Sequence, residues 1–276
     1  MTSINCKGTL INFDTPKVMG ILNSTPDSFF DGGKYTTEKE LLHQTEKMLS
    51  DGATFIDVGA YSSRPGATAI SEEEELQRII PVIKLLVKEF PNINLSVDTF
   101  RSGIAQKTIE AGAAMINDIS GGTMDSNMFE TVAKLQVPYI LMHMLGTPQT
   151  MQENPKYKNI TTELISFFAE QLVTLRQLQV NDLIIDVGFG FGKTTAHNFE
   201  LLKNLALFKS LDVPVLVGIS RKSMLCKPLN ISPKEALNAT TSANTIALLH
   251  GATLLRVHDV KEAIEAIKIV EQLNVK

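Results

Sequence analysis

The stretch "LIIDVGFGFGKT", residues 183–194, decides the fold, because two familiar architectures claim it and neither fits. An apolar run followed by glycines, a lysine and a threonine looks like a phosphate loop. That pattern needs a glycine five positions before the glycine of its Gly-Lys-Thr, and counting back from Gly192 reaches Val187. The dinucleotide fingerprint fails too, since Gly188-Phe189-Gly190 would need its third glycine where Lys193 stands. The stretch is then a buried strand ending in Asp186, with glycines that let the chain turn away sharply.

Similar strands recur on both sides of it. Short apolar runs occupy 18–23, 54–60, 94–99, 115–120, 139–144, 183–188, 213–220 and 254–259. Amphipathic helical patterns lie between and after them, at 37–49, 71–90, 101–112, 125–136, 161–178, 196–211, 232–251 and 259–273. Strands apolar on both faces that alternate with helices imply a parallel sheet. Eight such units in about 250 residues predict an α/β fold, a (β/α)8 TIM barrel. The preceding "CKGTLINF" (6–13) predicts a short N-terminal β-hairpin across the barrel bottom. No linker-like composition shift interrupts the pattern, so residues 1–276 read as one domain.

Composition narrows the function. Hydrophobic content of 43% is enough for a full core, and a net charge of −4 argues against a dedicated nucleic-acid binder. Cys6 and Cys226 form no framework or metal spacing, and no apolar run approaches the ~18 residues of a membrane span. A cytoplasmic protein is expected. The informative feature is that nearly every strand carries a polar residue at its carboxyl end: Asn23, Asp57, Asp98, Asn117, His143, Asp186, Lys222 just past the seventh run, and Arg256 with His258. Barrel enzymes build their sites from that end, so the set reads as the floor of an active site.

The segments around these residues resemble one family. "GILNSTPDSFFDGG" (20–33), "IDVGAYSSRPGA" (56–67), "SVDTF" (96–100), "INDISGG" (116–122), "MHMLGTPQTMQ" (142–152), "DVGFGFGKT" (186–194), "GISRKSM" (218–224) and "RVHDV" (256–260) follow the order found in dihydropteroate synthases. The resemblance implies a transferase of folate synthesis that joins 6-hydroxymethyl-7,8-dihydropterin diphosphate to p-aminobenzoate, with Mg2+ assisting. It also implies a homodimer and a sulfonamide target.

The residues suit that chemistry. A pterin edge presents an amino group beside a ring NH, and a carboxylate can accept both hydrogens. Asp186 is the candidate anchor, with Asp98 and Asn117 reading the rest of the edge. Phe191 would wall the pocket. Arg256 and Arg64 are candidates for the diphosphate; Arg256 and His258 alternate on one strand and so point to one side, and the guanidinium could also lie on the pterin face. By resemblance Asn23 contributes an oxygen to Mg2+, while Asp27, Phe29 and Asp31 help form the aminobenzoate pocket. Lys222 is expected to reach the pterin near the reacting carbon, and Ser223 to hold the aminobenzoate carboxylate.

Two departures stand out. The second loop usually reads Gly-Gly-Glu-Ser-Thr-Arg-Pro-Gly in this family; here Tyr61 replaces the glutamate and Ser63 the threonine, so Ser63 keeps the hydroxyl while a charge is lost. Two rival readings remain at this stage: a pterin-dependent methyltransferase, which would lack "SRKS" and "TPDSFFDGG", and a non-catalytic pterin-binding paralogue. The alanine-rich face of 232–251 is the candidate dimer interface.

Overall fold

The structure is a computed structural model that describes residues 2–23, 38–61, 69–151 and 155–273. Strands β1 (Ser3–Cys6) and β2 (Thr9–Asn12) form an antiparallel hairpin that turns through Lys7 and Gly8, both at positive φ (52° and 83°). This hairpin begins earlier than the sequence suggests. Eight parallel strands follow: β3 (Lys17–Asn23), β4 (Phe55–Gly59), β5 (Leu95–Asp98), β6 (Met115–Asp118), β7 (Tyr139–Met142), β8 (Leu183–Asp186), β9 (Val215–Val217) and β10 (Leu254–Val257). They close in the order β10-β3-β4-β5-β6-β7-β8-β9.

Helices α1 (Glu38–Ser50), α2 (Glu72–Glu89), α3 (Ser102–Glu110), α4 (Met128–Leu135), α5 (Ile160–Gln177) and α6 (Thr195–Lys203) alternate with the strands. After β9 come the short α7 (Ser223–Leu229) and then α8 (Leu237–Leu249); α9 (Val260–Gln272) follows β10. The helical pattern expected at 196–211 splits at Asn204, after which Leu205–Leu211 winds as a 3-10 segment that buries Leu205 and Phe208, three apart on one side. Residues 232–236 likewise stand apart from α8, because Ser232 and Glu235 form a capping box around their own 3-10 turn.

Strand parity places the site. Outward side chains such as Val18, Ile56, Val97, Ile185 and Leu255 join the core under the helices. Inward ones at the strand starts, including Met19, Phe55, Met115, Ile184 and Leu254, pack with Ile4, Cys6 and Phe13 of the hairpin into an apolar plug at the barrel bottom. Each fully buried Leu, Ile or Phe contributes roughly 1.5–3 kcal/mol, so this layer fixes the floor. Two residues further along each strand points inward again, because the side-chain period is two. Phe55 leads to Asp57, Met115 to Asn117, Ile184 to Asp186 and Leu254 to Arg256. On these four strands the upper inward layer is polar above an apolar lower one.

Parity also separates Asn117 from its neighbour Asp118. Asp118 faces the other way and is fully buried, accepting from the backbone N–H of Ser120 (2.7 Å) and Gly122 (2.8 Å), the Ser120 hydroxyl (2.7 Å) and the Tyr139 hydroxyl (2.7 Å). It is a structural carboxylate.

The alanine face of α8 is a correction to the sequence reading. Ala243 and Ala247 are buried within the chain, where small side chains let α8 lie close to its neighbours, α9 above all. The exposed apolar residues of α8 are Leu237, Ile246 and Leu249.

Candidate active site

Asp57, Asn117, Asp98 and Arg256 form one network at the barrel mouth. Arg256 donates from Nε to Asp57 Oδ2 (2.7 Å) and from Nη2 to Asp98 Oδ2 (3.1 Å), and its Nη2 forms an ion pair with the same Asp57 oxygen at 2.6 Å. Asn117 Nδ2 donates to Asp57 Oδ2 at 3.2 Å, and Asp98 and Asn117 are direct neighbours in the β5–β6 register. Among the described residues, Asp57 Oδ1 is buried with no hydrogen-bond partner. Burial raises the Asp98 carboxyl to about 7 against the opposing pull of Arg256, with Asp57 adding to the rise. Asp57 is the residue whose part sequence reasoning missed: it reads as one more strand-end acid, yet it is where Arg256 and Asn117 meet.

Asp186 closes β8 on the opposite side. Its Oδ1 accepts from Gly188 N–H (2.8 Å), and burial raises its pKa while Lys222, Arg256 and Lys193 hold it down. Gly188 must be glycine: its φ is 68°, and a Cβ there would lie 2.1 Å from the His143 carbonyl oxygen. Beyond β9, Lys222 turns back over the mouth. Its ammonium donates to the Phe189 carbonyl and lies 4.5 Å from the Phe191 ring centroid. Burial lowers its pKa to about 8, opposed by Asp186. Phe191 is half-buried beneath that ammonium.

The absence of a side chain at Gly218 leaves a gap, or slot, between Asp186 and Arg256. A Cβ built on Gly218 would sit 3.8 Å from both Asp186 Oδ2 and Arg256 Cβ, touching nothing closer. Gly218 has ordinary backbone geometry, so a side chain there would be tolerated by the fold and would protrude between carboxylate and guanidinium. Gly218→Ala is therefore expected to weaken binding of a flat ligand while the thermal midpoint moves little; calorimetry and a melting curve on the same preparation check this.

Other expected residues fall differently. His258 lies past the end of β10, with Nδ1 3.0 Å from the Ser220 hydroxyl, while Arg256 binds Asp57 and Asp98. Ser223 is the exposed first residue of α7, and Lys222, not Ser223, occupies the N-cap position. Arg221 pairs with Asp259 at 2.6 Å. Asp27, Phe29, Asp31, Ser63 and Arg64 lie outside the described residues, as does the side chain of Asn23, whose backbone ends β3 beside Gly59.

Tyr61, the departure in the second loop, is described. Its ring meets Phe100 edge-on at 5.0 Å, the Arg101 guanidinium lies 5.4 Å from its centroid, and its hydroxyl accepts from Gln149 Nε2 at 3.1 Å. Arg101 also binds the buried Glu75 (2.6 Å) and the Ile70 carbonyl (2.7 Å). The lost charge is replaced by an aromatic anchor at the start of that loop.

A closed parallel barrel with inward carboxylates, an amide, a lysine and an arginine at its mouth fits a pterin-binding enzyme, and residues 19–258 match the family model described as pterin binding enzyme. The Escherichia coli K12 dihydropteroate synthase is 43% identical over 267 residues, covering 96% of this chain and 94% of that one. A Yersinia pestis dihydropteroate synthase structure with a sulfonamide drug complex superposes with a TM-score of 0.92 at 41% identity, covering 99% of each chain. The Xanthomonas albilineans enzyme in complex with 7,8-dihydropteroate gives 0.88 at 36% identity, again covering 99% of each. The chain belongs to the dihydropteroate synthase family and is a transferase. No described helix is long and apolar enough to cross a membrane.

Proposed function

We propose that the slot between Asp186 and Arg256 receives the pterin ring of 6-hydroxymethyl-7,8-dihydropterin diphosphate, and that the enzyme joins it to p-aminobenzoate with release of pyrophosphate. The observation that carries this reading is the placement of the acids: Asp186 opens one oxygen toward the slot, while Asp98 and Asn117 stand across it. Asp186 would accept from the pterin amino group and ring N–H. Asn117 and Asp98 would read the far edge, and the flat Arg256 guanidinium, held by two carboxylates, would lie on the ring face. Phe191 would wall the pocket, and Lys222 would donate to a ring acceptor close to the reacting carbon.

The chemistry asks little covalent help. The C–O bond to the diphosphate breaks, the aminobenzoate nitrogen forms the new C–N bond, and its proton leaves to solvent or the departing pyrophosphate. The arylamine is neutral at physiological pH, and the electron-rich pterin stabilises positive charge on the methylene carbon. Catalysis is then positioning and charge stabilisation. Arg64, Ser63 and His258 would meet the diphosphate end, and Asp27, Phe29 and Asp31 the aminobenzoate side.

Mg2+ fits this arrangement as an ion that arrives with the diphosphate. Among the described residues no group of three or more His, Cys, Asp or Glu is placed to hold a metal. Asn23, whose backbone ends β3, would offer a single amide oxygen, which suits a hard cation that takes its other ligands from phosphate and water. When bound, the ion would neutralise charge on the leaving pyrophosphate. Mg2+ is accordingly expected to tighten binding of the diphosphate substrate and to leave the corresponding pterin alcohol unaffected, which calorimetry with both ligands checks.

Ser223 would contact the aminobenzoate carboxylate through its exposed hydroxyl, and a cytoplasmic homodimer, one domain of residues 1–276 per subunit, completes the reading. The exposed Leu237, Ile246 and Leu249 support α8 as a contact between subunits. p-Aminobenzoate should bind only after the pterin site is filled, and sulfonamides should compete with it alone. Titrating p-aminobenzoate with and without a pterin analogue plus pyrophosphate tests this order; tight binding to the bare enzyme contradicts it.

A further inference from the structure

Lys193 makes the 186–194 stretch resemble a phosphate loop, and the roles assigned above leave it unused. It is 3% exposed. Its ammonium lies 3.1 Å from His143 Nδ1, 3.1 Å from the His143 carbonyl oxygen and 2.9 Å from the Phe191 carbonyl oxygen. An ammonium carries three hydrogens and no acceptor, so three donors meet three acceptors. His143 Nδ1 must then accept, with its proton on Nε2. Burial and the neighbouring Lys193 hold the ring neutral, its pKa pulled down to about 3.

A buried cation is a costly way to fill space, since an apolar side chain of the same length would avoid the loss of hydration. The contacts show what the charge secures. The His143 carbonyl belongs to the end of β7, and the Phe191 carbonyl to the loop after β8. That loop carries three groups of the slot: Gly188 N–H holds Asp186, the Phe189 carbonyl holds Lys222, and the Phe191 ring lies beneath the Lys222 ammonium. Asn198 from α6 accepts from Gly190 N–H at 2.7 Å, and the Tyr157 hydroxyl donates to the Gly192 carbonyl at 2.9 Å. The outer side of the loop is thus tied by neutral bonds, and its inner side by Lys193.

We propose that Lys193 is a positioning residue of the pterin site: its ammonium pins the loop at 188–192 to the end of β7 and so fixes Asp186, Phe191 and Lys222 in the arrangement that receives the ring. The inference rests on the pterin reading of the slot. Its charge state matters because a neutral amine has two hydrogens for three acceptors. The charged and titratable groups around it are Asp186 on β8, His143 beyond β7, Lys222 beyond β9 and the Tyr157 hydroxyl. Burial pulls Lys193 down to about 7, with Asp186 opposing and Lys222 assisting. Protonated Lys193 holds the loop on the acid side of that value, and the pin weakens as the pH rises through it.

The test uses the whole chain and a non-hydrolysable pterin analogue that does not itself ionise near neutrality. Lys193→Met is expected to weaken analogue binding roughly ten- to a hundredfold, the scale at which a small misplacement acts, and to raise KM for the pterin substrate more than it lowers kcat. Binding to the wild type but equal binding to Lys193→Met overturns the inference and leaves the slot intact; failure of the analogue to bind the wild type overturns the pterin reading itself. A second measurement needs no variant. In the wild type, 15N shifts of the His143 ring should report an accepting Nδ1 that changes as Lys193 loses its proton, with analogue affinity falling over the same pH interval. Constant affinity across that interval, or an Nδ1 already protonated on its acid side, overturns the proposal.

Discussion

Asp186→Asn is expected to abolish productive pterin binding while the chain stays folded. The amide keeps one acceptor where the pterin edge presents two hydrogens, and its NH2 faces a donor. It also removes the negative charge that Lys222, Lys193 and Arg256 surround. Loss of a buried, charged hydrogen-bonded partner costs on the order of 2–5 kcal/mol, or roughly 30-fold to several-thousand-fold in affinity. Gly188 N–H can still find the remaining amide oxygen, so the loop is expected to keep its turn. Calorimetry with a pterin analogue measures the loss, and unchanged affinity would remove Asp186 from the site.

Arg256→Met should act chiefly on stability. Arg256 holds Asp57, whose side chain is fully buried, and Asp98. Removing one member of a buried pair leaves uncompensated charge and costs on the order of 3–5 kcal/mol, here on two carboxylates at once. The pH dependence follows from Asp98. Its folded pKa is raised from 3.8 to about 7, so its contribution is most favourable when it is protonated and is lost as the pH rises through that range. Without Arg256 the rise is larger and the loss extends further into the alkaline side. Urea midpoints of the variant should therefore improve on acidification relative to the wild type; a parallel pH profile for the two proteins would contradict the network.

Much of this was legible in the sequence, for a physical reason. Strands buried on both faces must be apolar throughout, so a polar residue at the end of "LIID" or "LLR" is conspicuous, and the barrel confirms that Asp186 and Arg256 point inward. Parity further selects Asn117 over Asp118 in "MINDIS", which letters alone leave ambiguous. The partnership of Asp57 with Arg256 was not legible, because the two are 199 residues apart and meet only when β10 closes on β3. Lys193 was hidden by its resemblance to a phosphate-loop lysine. The alanines of α8 misled because small residues serve an intramolecular contact as well as a subunit interface. Tyr61 read as a lost charge and proved to be an aromatic anchor set edge-on against Phe100 and under Arg101.

If the slot at the barrel mouth performs the condensation, pyrophosphate release reports it directly. Mixed with the pterin diphosphate, p-aminobenzoate and Mg2+, the enzyme should release pyrophosphate and form dihydropteroate in equal amounts, with neither product appearing when either substrate is left out. A pterin-dependent methyltransferase would release none, and a binding module without turnover would show saturable pterin binding alone; either result would contradict the account.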